Sequence, residues 1–116
     1  MSNYSLDMDK TLNIVIIVRL AKKILDQIID VVLSYKKPQK LILFGSQAES
    51  SAKKTSDIDI AIIADDWTDR DYNIIKNRLE EEVKTPLKFD VVNLKSISKE
   101  RLRQNILNKG KVIYES

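Results

Sequence analysis

Hydrophobic and polar positions follow helical and extended periods in turn along the first half of the chain. Apolar residues recur every three or four positions over residues 10–35, which predicts an amphipathic helix, and they are Ile14, Ile17, Ala21, Ile24, Ile28, Val31 and Tyr35. The short apolar run 40–44 stops at Gly45 and predicts a buried strand. The S-x-x-E pattern of residues 46–49 predicts a short helix that fades in the polar stretch 50–56.

Strict alternation begins at residue 57 and predicts a second strand over 57–63. A period of two separates two faces of this strand, an apolar face with Ile58, Ile60 and Ile62 and an open face with Asp57, Asp59 and Ala61. Further along, the patterns predict helices at about 69–84 and 98–108 and strands at 88–93 and 112–114. These elements predict an α/β (α+β) fold, a mixed sheet of about four strands with flanking helices.

Composition narrows the classes of function that this fold could serve. A chain of 116 residues predicts a single domain, 1–116. The absence of Cys and His excludes disulfides, Cys/His zinc sites, thiol nucleophiles and a histidine general base. Any catalysis therefore depends on carboxylates, hydroxyls, lysines and bound metal.

Charge is segregated, because an acidic block over 57–94 lies between the basic segments 1–56 and 95–116. This pattern favours a site for cations and phosphates over binding to a specific nucleic acid. The N-terminus lacks the layout of a signal peptide, and the apolar run 12–18 is far shorter than the roughly 20 residues that span a membrane. We expect a cytoplasmic protein without a membrane partner.

Candidate chemistry concentrates where two of the predicted strands end or begin. Asp57 and Asp59 lie about 7 Å apart along one strand face, so both carboxylates can reach one divalent cation or flank a pair of cations. Asp90, on the third predicted strand, is the candidate for a further carboxylate ligand of Mg²⁺. Gly45 permits a close approach of backbone to phosphate, and a helix that begins at Ser46 presents free N–H groups to an anion.

Each of these features taken alone also has a structural explanation. Ser46 is a common helix cap, an acidic pair on a strand often only solvates an edge, and Asp90 by itself is no signal. The charged runs 53–54, 65–66 and 80–82 are typical of solvated loops and helix faces.

The combination is more specific than its parts. Gly45-Ser46, ten intervening residues and then Asp57-x-Asp59 resemble the G-S-x10-D-x-D signature of the nucleotidyltransferase superfamily related to DNA polymerase β. The segments 41–63, 89–92 and 110–115 also resemble strands of that family, so the similarity covers roughly residues 12–115. The short chain is similar to the minimal nucleotidyltransferases, the MNT antitoxins encoded beside HEPN ribonuclease toxins.

This resemblance implies a role for each matching residue. It implies that Gly45 and Ser46 hold the terminal phosphates of ATP, and that Asp57 and Asp59 bind two Mg²⁺ ions. It further implies that Asp90 helps to bind the catalytic metal and orients the attacking hydroxyl. The implied reaction is transfer of AMP from ATP to a tyrosine of a HEPN-family toxin, with release of pyrophosphate.

One departure from the family pattern leaves an alternative open. Gln47 and Glu49 stand where the family usually has arginines, so cations are lost beside the phosphate site and Glu49 opposes a phosphate. Lys53 or Lys54 could offset this loss. The alternative is a catalytically weak subunit that neutralises its toxin by contact through the first or last helix. A small-molecule nucleotidyltransferase is less favoured, because it needs more chain for an acceptor pocket.

Overall fold

The structure, a computed structural model, describes residues 8–45 and 57–116, with the side chains of the first helix described from Lys22 onward. The elements follow in the order α1 (Met8–Tyr35), β1 (Lys40–Phe44), β2 (Ile58–Ile63), α2 (Asp69–Glu82), β3 (Phe89–Asn93), α3 (Glu100–Lys109) and β4 (Lys111–Glu115), with one 3₁₀ turn at Leu94–Ser96 between β3 and α3. The α/β fold with a mixed four-stranded sheet and flanking helices is thereby confirmed. The short helix predicted at Ser46 lies outside the described residues.

The strands form one sheet in the order β3-β2-β1-β4. β1 pairs antiparallel with both β2 and β4, whereas β2 and β3 are parallel. Parallel neighbours need a crossover connection, and α2 provides it between β2 and β3. The mixed sheet follows from this connectivity.

One face of the sheet carries the larger apolar core. The isoleucines predicted to point inward, Ile58, Ile60 and Ile62, are buried there together with residues of α1 and α2. Phe89 is buried in the same cluster and Asp90 is exposed, as the alternation in β3 predicts. Both helices therefore lie on the face opposite the aspartates.

The other face of the sheet is partly covered. Ala61, predicted on the open face with Asp57 and Asp59, is fully buried in a second cluster with Ile42, Leu94 and Ile106 of α3. The prediction of an open face was wrong at Ala61, because α3 packs over this part of the sheet. Among the described residues, Asp57 and Asp90 are exposed and Asp59 is half-buried, and all three lie at or near the beginning of β2 and β3.

Among the helices that the structure describes, none combines the length and apolar character of a membrane-spanning segment.

Candidate nucleotide and metal site

A row of three residues crosses the sheet at its accessible end. Asp59 of β2 pairs with Phe44 of β1 on one side and with Asp90 of β3 on the other. Adjacent strands lie about 4.8 Å apart, and directly paired residues point to the same face. The sheet therefore brings Asp59 and Asp90 side by side, although thirty residues separate them in the sequence.

Asp57 lies one residue before β2, so the strand begins one residue later than predicted. It is exposed, as is Asp90, while Asp59 between them is half-buried. The three predicted carboxylates thus share one end of the sheet, and Asp59 is the least exposed of them.

The ionised form of Asp59 is disfavoured at this end of the sheet. Burial raises the pKa of Asp59 above its usual value, and the nearby charges of Asp90 and Asp57 raise this pKa further. A carboxylate surrounded by like charge gains most from a bound cation, because the cation relieves both the repulsion and the desolvation. The donor set, three carboxylates without nitrogen or sulfur ligands, fits Mg²⁺.

The Asp59 carboxylate restricts the residue type that can follow β1 at position 45. Gly45 has a φ of 73°, which residues with a Cβ rarely adopt. A Cβ at this position would overlap Oδ2 of Asp59 and lie 3.2 Å from its Cγ. Position 45 therefore favours glycine for two reasons: the backbone has a positive φ, and the Asp59 carboxylate occupies the space that a Cβ would need.

The side chains as they stand do not form a closed metal cage. Among the side chains that the structure describes, in residues 22–45 and 57–116, no three acidic groups converge tightly enough to hold a metal ion by themselves. Mg²⁺ usually takes one or two carboxylates from the protein and fills its remaining positions with water and substrate phosphates. Ser46, the other predicted phosphate ligand, lies outside the described residues, as do Gln47 and Glu49.

A buried carboxylate that the sequence analysis did not single out, Asp71, lies where α1 ends and α2 begins. Asp71 is only 9% exposed, and it accepts hydrogen bonds from the Tyr35 hydroxyl and, at 2.7 Å, from the Thr68 N–H. Lys36 adds an ion pair at 3.4 Å. These donors lower the pKa of Asp71 to about 2, with the bond from Tyr35 as the largest cause and the Thr68 N–H next. Thr68 and Asp71 also form a capping box, which is local in the sequence, whereas the contact with Tyr35 joins residues 36 positions apart.

Comparison with known proteins identifies the family. A family model described as polymerase beta nucleotidyltransferase matches residues 26–116. The chain belongs to this nucleotidyltransferase family. No curated protein sequence matches the chain significantly.

Solved structures of toxin–antitoxin complexes are similar to the chain. A toxin–antitoxin with AMP-PNP has a chain of 28% identity and a TM-score of 0.67, and the match covers 79% of this chain and 73% of that chain. The complex of tri-AMPylated Shewanella oneidensis HEPN toxin with MNT antitoxin gives 26% identity and a TM-score of 0.61, covering 80% and 71%. An MntA-HepT toxin–antitoxin gives 25% identity and a TM-score of 0.61, also covering 80% and 71%. The predicted resemblance to MNT antitoxins is confirmed.

Proposed function

We propose that this nucleotidyltransferase is an antitoxin that transfers AMP from ATP to a tyrosine of a HEPN-family toxin and so neutralises it. The observation that carries the proposal is the pairing of Asp59 with Asp90 next to Gly45 at the accessible end of the sheet. The antitoxin neighbours, one solved with AMP-PNP and one with an AMPylated toxin, support the donor and the acceptor.

The roles that we propose are those that the resemblance to the family implies, and the shared position of the three aspartates at one end of the sheet supports them. Asp57, Asp59 and Asp90 would hold two Mg²⁺ ions, and Gly45 and Ser46 would bind the terminal phosphates of ATP. Bound Mg²⁺ supplies charge neutralisation on the phosphates and lowers the pKa of the attacking hydroxyl. Asp90 also orients the hydroxyl of the acceptor tyrosine toward the α-phosphorus.

The reaction conserves atoms in a single displacement. A bond forms between the tyrosine oxygen and the α-phosphorus, and the bond from the α-phosphorus to the oxygen bridging the β-phosphorus breaks. Pyrophosphate leaves with that oxygen, and the hydroxyl proton passes to solvent. No histidine or cysteine is needed, which suits a chain that contains neither.

Mass spectrometry of the cognate toxin tests this function. With Mg²⁺ and ATP, the wild-type protein should increase the toxin mass by about 329 Da per transfer, the mass of AMP less water. Asp59→Asn should abolish the increase, and Asp66→Asn, an exposed loop aspartate, should not. An unmodified toxin mass with the wild-type protein would contradict the enzymatic proposal.

A second candidate function is neutralisation by contact alone. Leu102 and Leu107 of α3 and Val112 of β4 are 42%, 45% and 51% exposed, which favours a protein-contacting surface on these elements. The departure at Glu49 also favours this alternative. Suppression of the toxin's ribonuclease activity by wild type and Asp59→Asn alike, without a change in toxin mass, would establish it.

A further inference from the structure

The Lys88–Phe89 peptide unit, at the beginning of β3, is held by hydrogen bonds on both sides. On the β2 side, the Ile58 N–H donates to the Lys88 carbonyl oxygen at 2.9 Å. On the α2 side, the Phe89 N–H donates to the Glu80 carboxylate, Oε2, at 3.1 Å. The Lys88 carbonyl and the Phe89 N–H belong to one planar peptide group, so the two bonds fix the orientation of that plane.

The position of this plane matters because of its neighbours in the sequence. Ile58 lies between Asp57 and Asp59, and Phe89 directly precedes Asp90. The bond from Ile58 therefore joins the two strand segments that carry the three carboxylates. The relative placement of the carboxylates depends on where β3 begins and on how its first peptide is turned.

In the sheet that the described residues form, β3 is an edge strand, so none of the described strands accepts its outward N–H groups. Glu80 supplies an acceptor from a helix to the outward N–H at the first residue of β3. A carboxylate accepts such a bond more strongly than a neutral group or water does. This role differs from the solvated helix face that the sequence predicted for residues 80–82.

Hydrogen bonds in the loop before β3 also help to fix where β3 begins. The Lys84 N–H donates to the Gln27 side chain of α1 at 2.8 Å, and the Leu87 N–H donates to the Thr85 hydroxyl at 3.2 Å. Side chains of α1, α2 and the loop thus accept hydrogen bonds from three backbone N–H groups between the end of α2 and the beginning of β3.

We infer that Glu80 is a positioning residue for the site: its carboxylate fixes the Lys88–Phe89 peptide and thereby sets Asp90 beside Asp59 for metal binding. This inference rests on the proposed metal-binding function of the three aspartates. Glu80 itself touches neither metal nor substrate in this role.

Three variants separate positioning from general charge and from stability. Glu80→Ala removes both the charge and the acceptor, whereas Glu80→Gln removes the charge and keeps a carbonyl acceptor. Glu81→Gln removes the same charge from the adjacent exposed residue, which makes no side-chain hydrogen bond to another described residue. The measurements are Mn²⁺ affinity by calorimetry, amide hydrogen exchange of the Phe89 N–H by NMR, and thermal unfolding.

We expect Glu80→Ala to speed exchange of the Phe89 N–H and to weaken Mn²⁺ binding by about three- to tenfold. Glu80→Gln should retain most of the affinity, and Glu81→Gln should match the wild type. Equal losses in Glu80→Ala and Glu80→Gln would instead assign the effect to charge and overturn the inference. Faster exchange or lower stability in Glu80→Ala with unchanged Mn²⁺ affinity would overturn it as well, because Glu80 would then be only structural.

The wild-type protein distinguishes failure of this inference from failure of the proposed function. Absence of Mn²⁺ binding by the wild type would refute the metal site and the role of Glu80 together. Normal wild-type binding with an unaffected Glu80→Ala variant would refute the role of Glu80 alone.

Discussion

Asp59 and Asp71 are aspartates on opposite sides of the sheet. The surroundings of Asp59 disfavour its ionised form, whereas those of Asp71 favour it. Burial and the neighbouring Asp90 and Asp57 raise the pKa of Asp59. Hydrogen bonds from Tyr35 and Thr68 lower the pKa of Asp71 to about 2. Asp71 stabilises the junction of two helices, whereas Asp59 lies where the fold alone would be better served by a neutral residue.

This contrast supports the proposal that Asp59 is the functional carboxylate of the two. A structural carboxylate is supplied with donors by its own fold, as Asp71 is. A carboxylate whose neighbours are other carboxylates is stabilised by a bound cation, and perturbed ionisation of this kind clusters at functional sites. Asp71 at the start of α2 has hydrogen-bond donors from the fold itself, whereas Asp59 at the sheet end has carboxylates for neighbours, which supports the metal-binding role that we propose for it.

The largest expected effect comes from neutralising the acidic end of the sheet. Asp57→Asn combined with Asp59→Asn should abolish Mg²⁺ binding and lower AMP transfer by about three orders of magnitude or more. Calorimetry and a transfer assay measure the two losses, and circular dichroism should show an intact fold. Unchanged metal affinity in the double variant would refute a metal-binding role for Asp57 and Asp59, and with it the functional contrast with Asp71.

The next effect concerns the glycine that accommodates Asp59. Gly45→Ala places a Cβ where the Asp59 carboxylate lies and forces a residue with a Cβ into a positive φ, which costs about 1–2 kcal/mol. We expect a lower melting temperature and about tenfold weaker Mg²⁺ binding.

Gly110→Ala is the matched control for that variant. A Cβ at Gly110 would meet the Ile106 carbonyl and the Ile42 side chain, and none of its three nearest atoms belongs to an aspartate of the site. This variant should lose stability without a comparable loss of metal affinity in the protein that remains folded. Similar losses of metal affinity in both variants would show that the Gly45 effect is global.

The contributions of Asp71 and Asp59 to the stability of the fold should depend on pH in opposite directions. The folded pKa of Asp71, about 2, lies below its ordinary value of 3.8, so its contribution to stability is present above about pH 4 and is lost as the pH falls toward 2. Asp71→Asn should therefore melt several degrees lower at pH 7, with the difference from wild type closing between about pH 4 and 2. A constant difference across this range would argue against the ionised form as the source of stability.

The smallest expected effect is a gain in stability. Because the pKa of Asp59 is raised above 3.8 in the folded protein, its ionisation disfavours folding as the pH rises through that folded pKa. Without added metal, Asp59→Asn should melt a few degrees higher than wild type at pH 7 and equally below about pH 3.8. Addition of Mg²⁺ should raise the melting temperature of the wild type and leave the variant unchanged.

Local periodicity was sufficient to predict the elements that the structure describes. The alternation from Asp57 to Ile63 placed the isoleucines in the core, and the helical spacing before Tyr35 placed α1 close to its observed bounds. These predictions hold because the period of side chains along a helix or strand is set by the backbone itself. The Gly45-Ser46 and Asp57-x-Asp59 motifs likewise lie close together in the sequence, so their resemblance to a family was visible without a structure.

Contacts between distant segments were decided only by the tertiary structure. The register that sets Asp90 beside Asp59, the cover of α3 over Ala61 and the bond from Phe89 to Glu80 each join elements whose order along the chain does not specify their pairing. Strand register depends on which faces are buried and on how the crossover helix packs. The sequence determined the periods of the elements and the residue types available for chemistry, whereas packing of the helices on the two sheet faces decided which carboxylates meet and which one is satisfied.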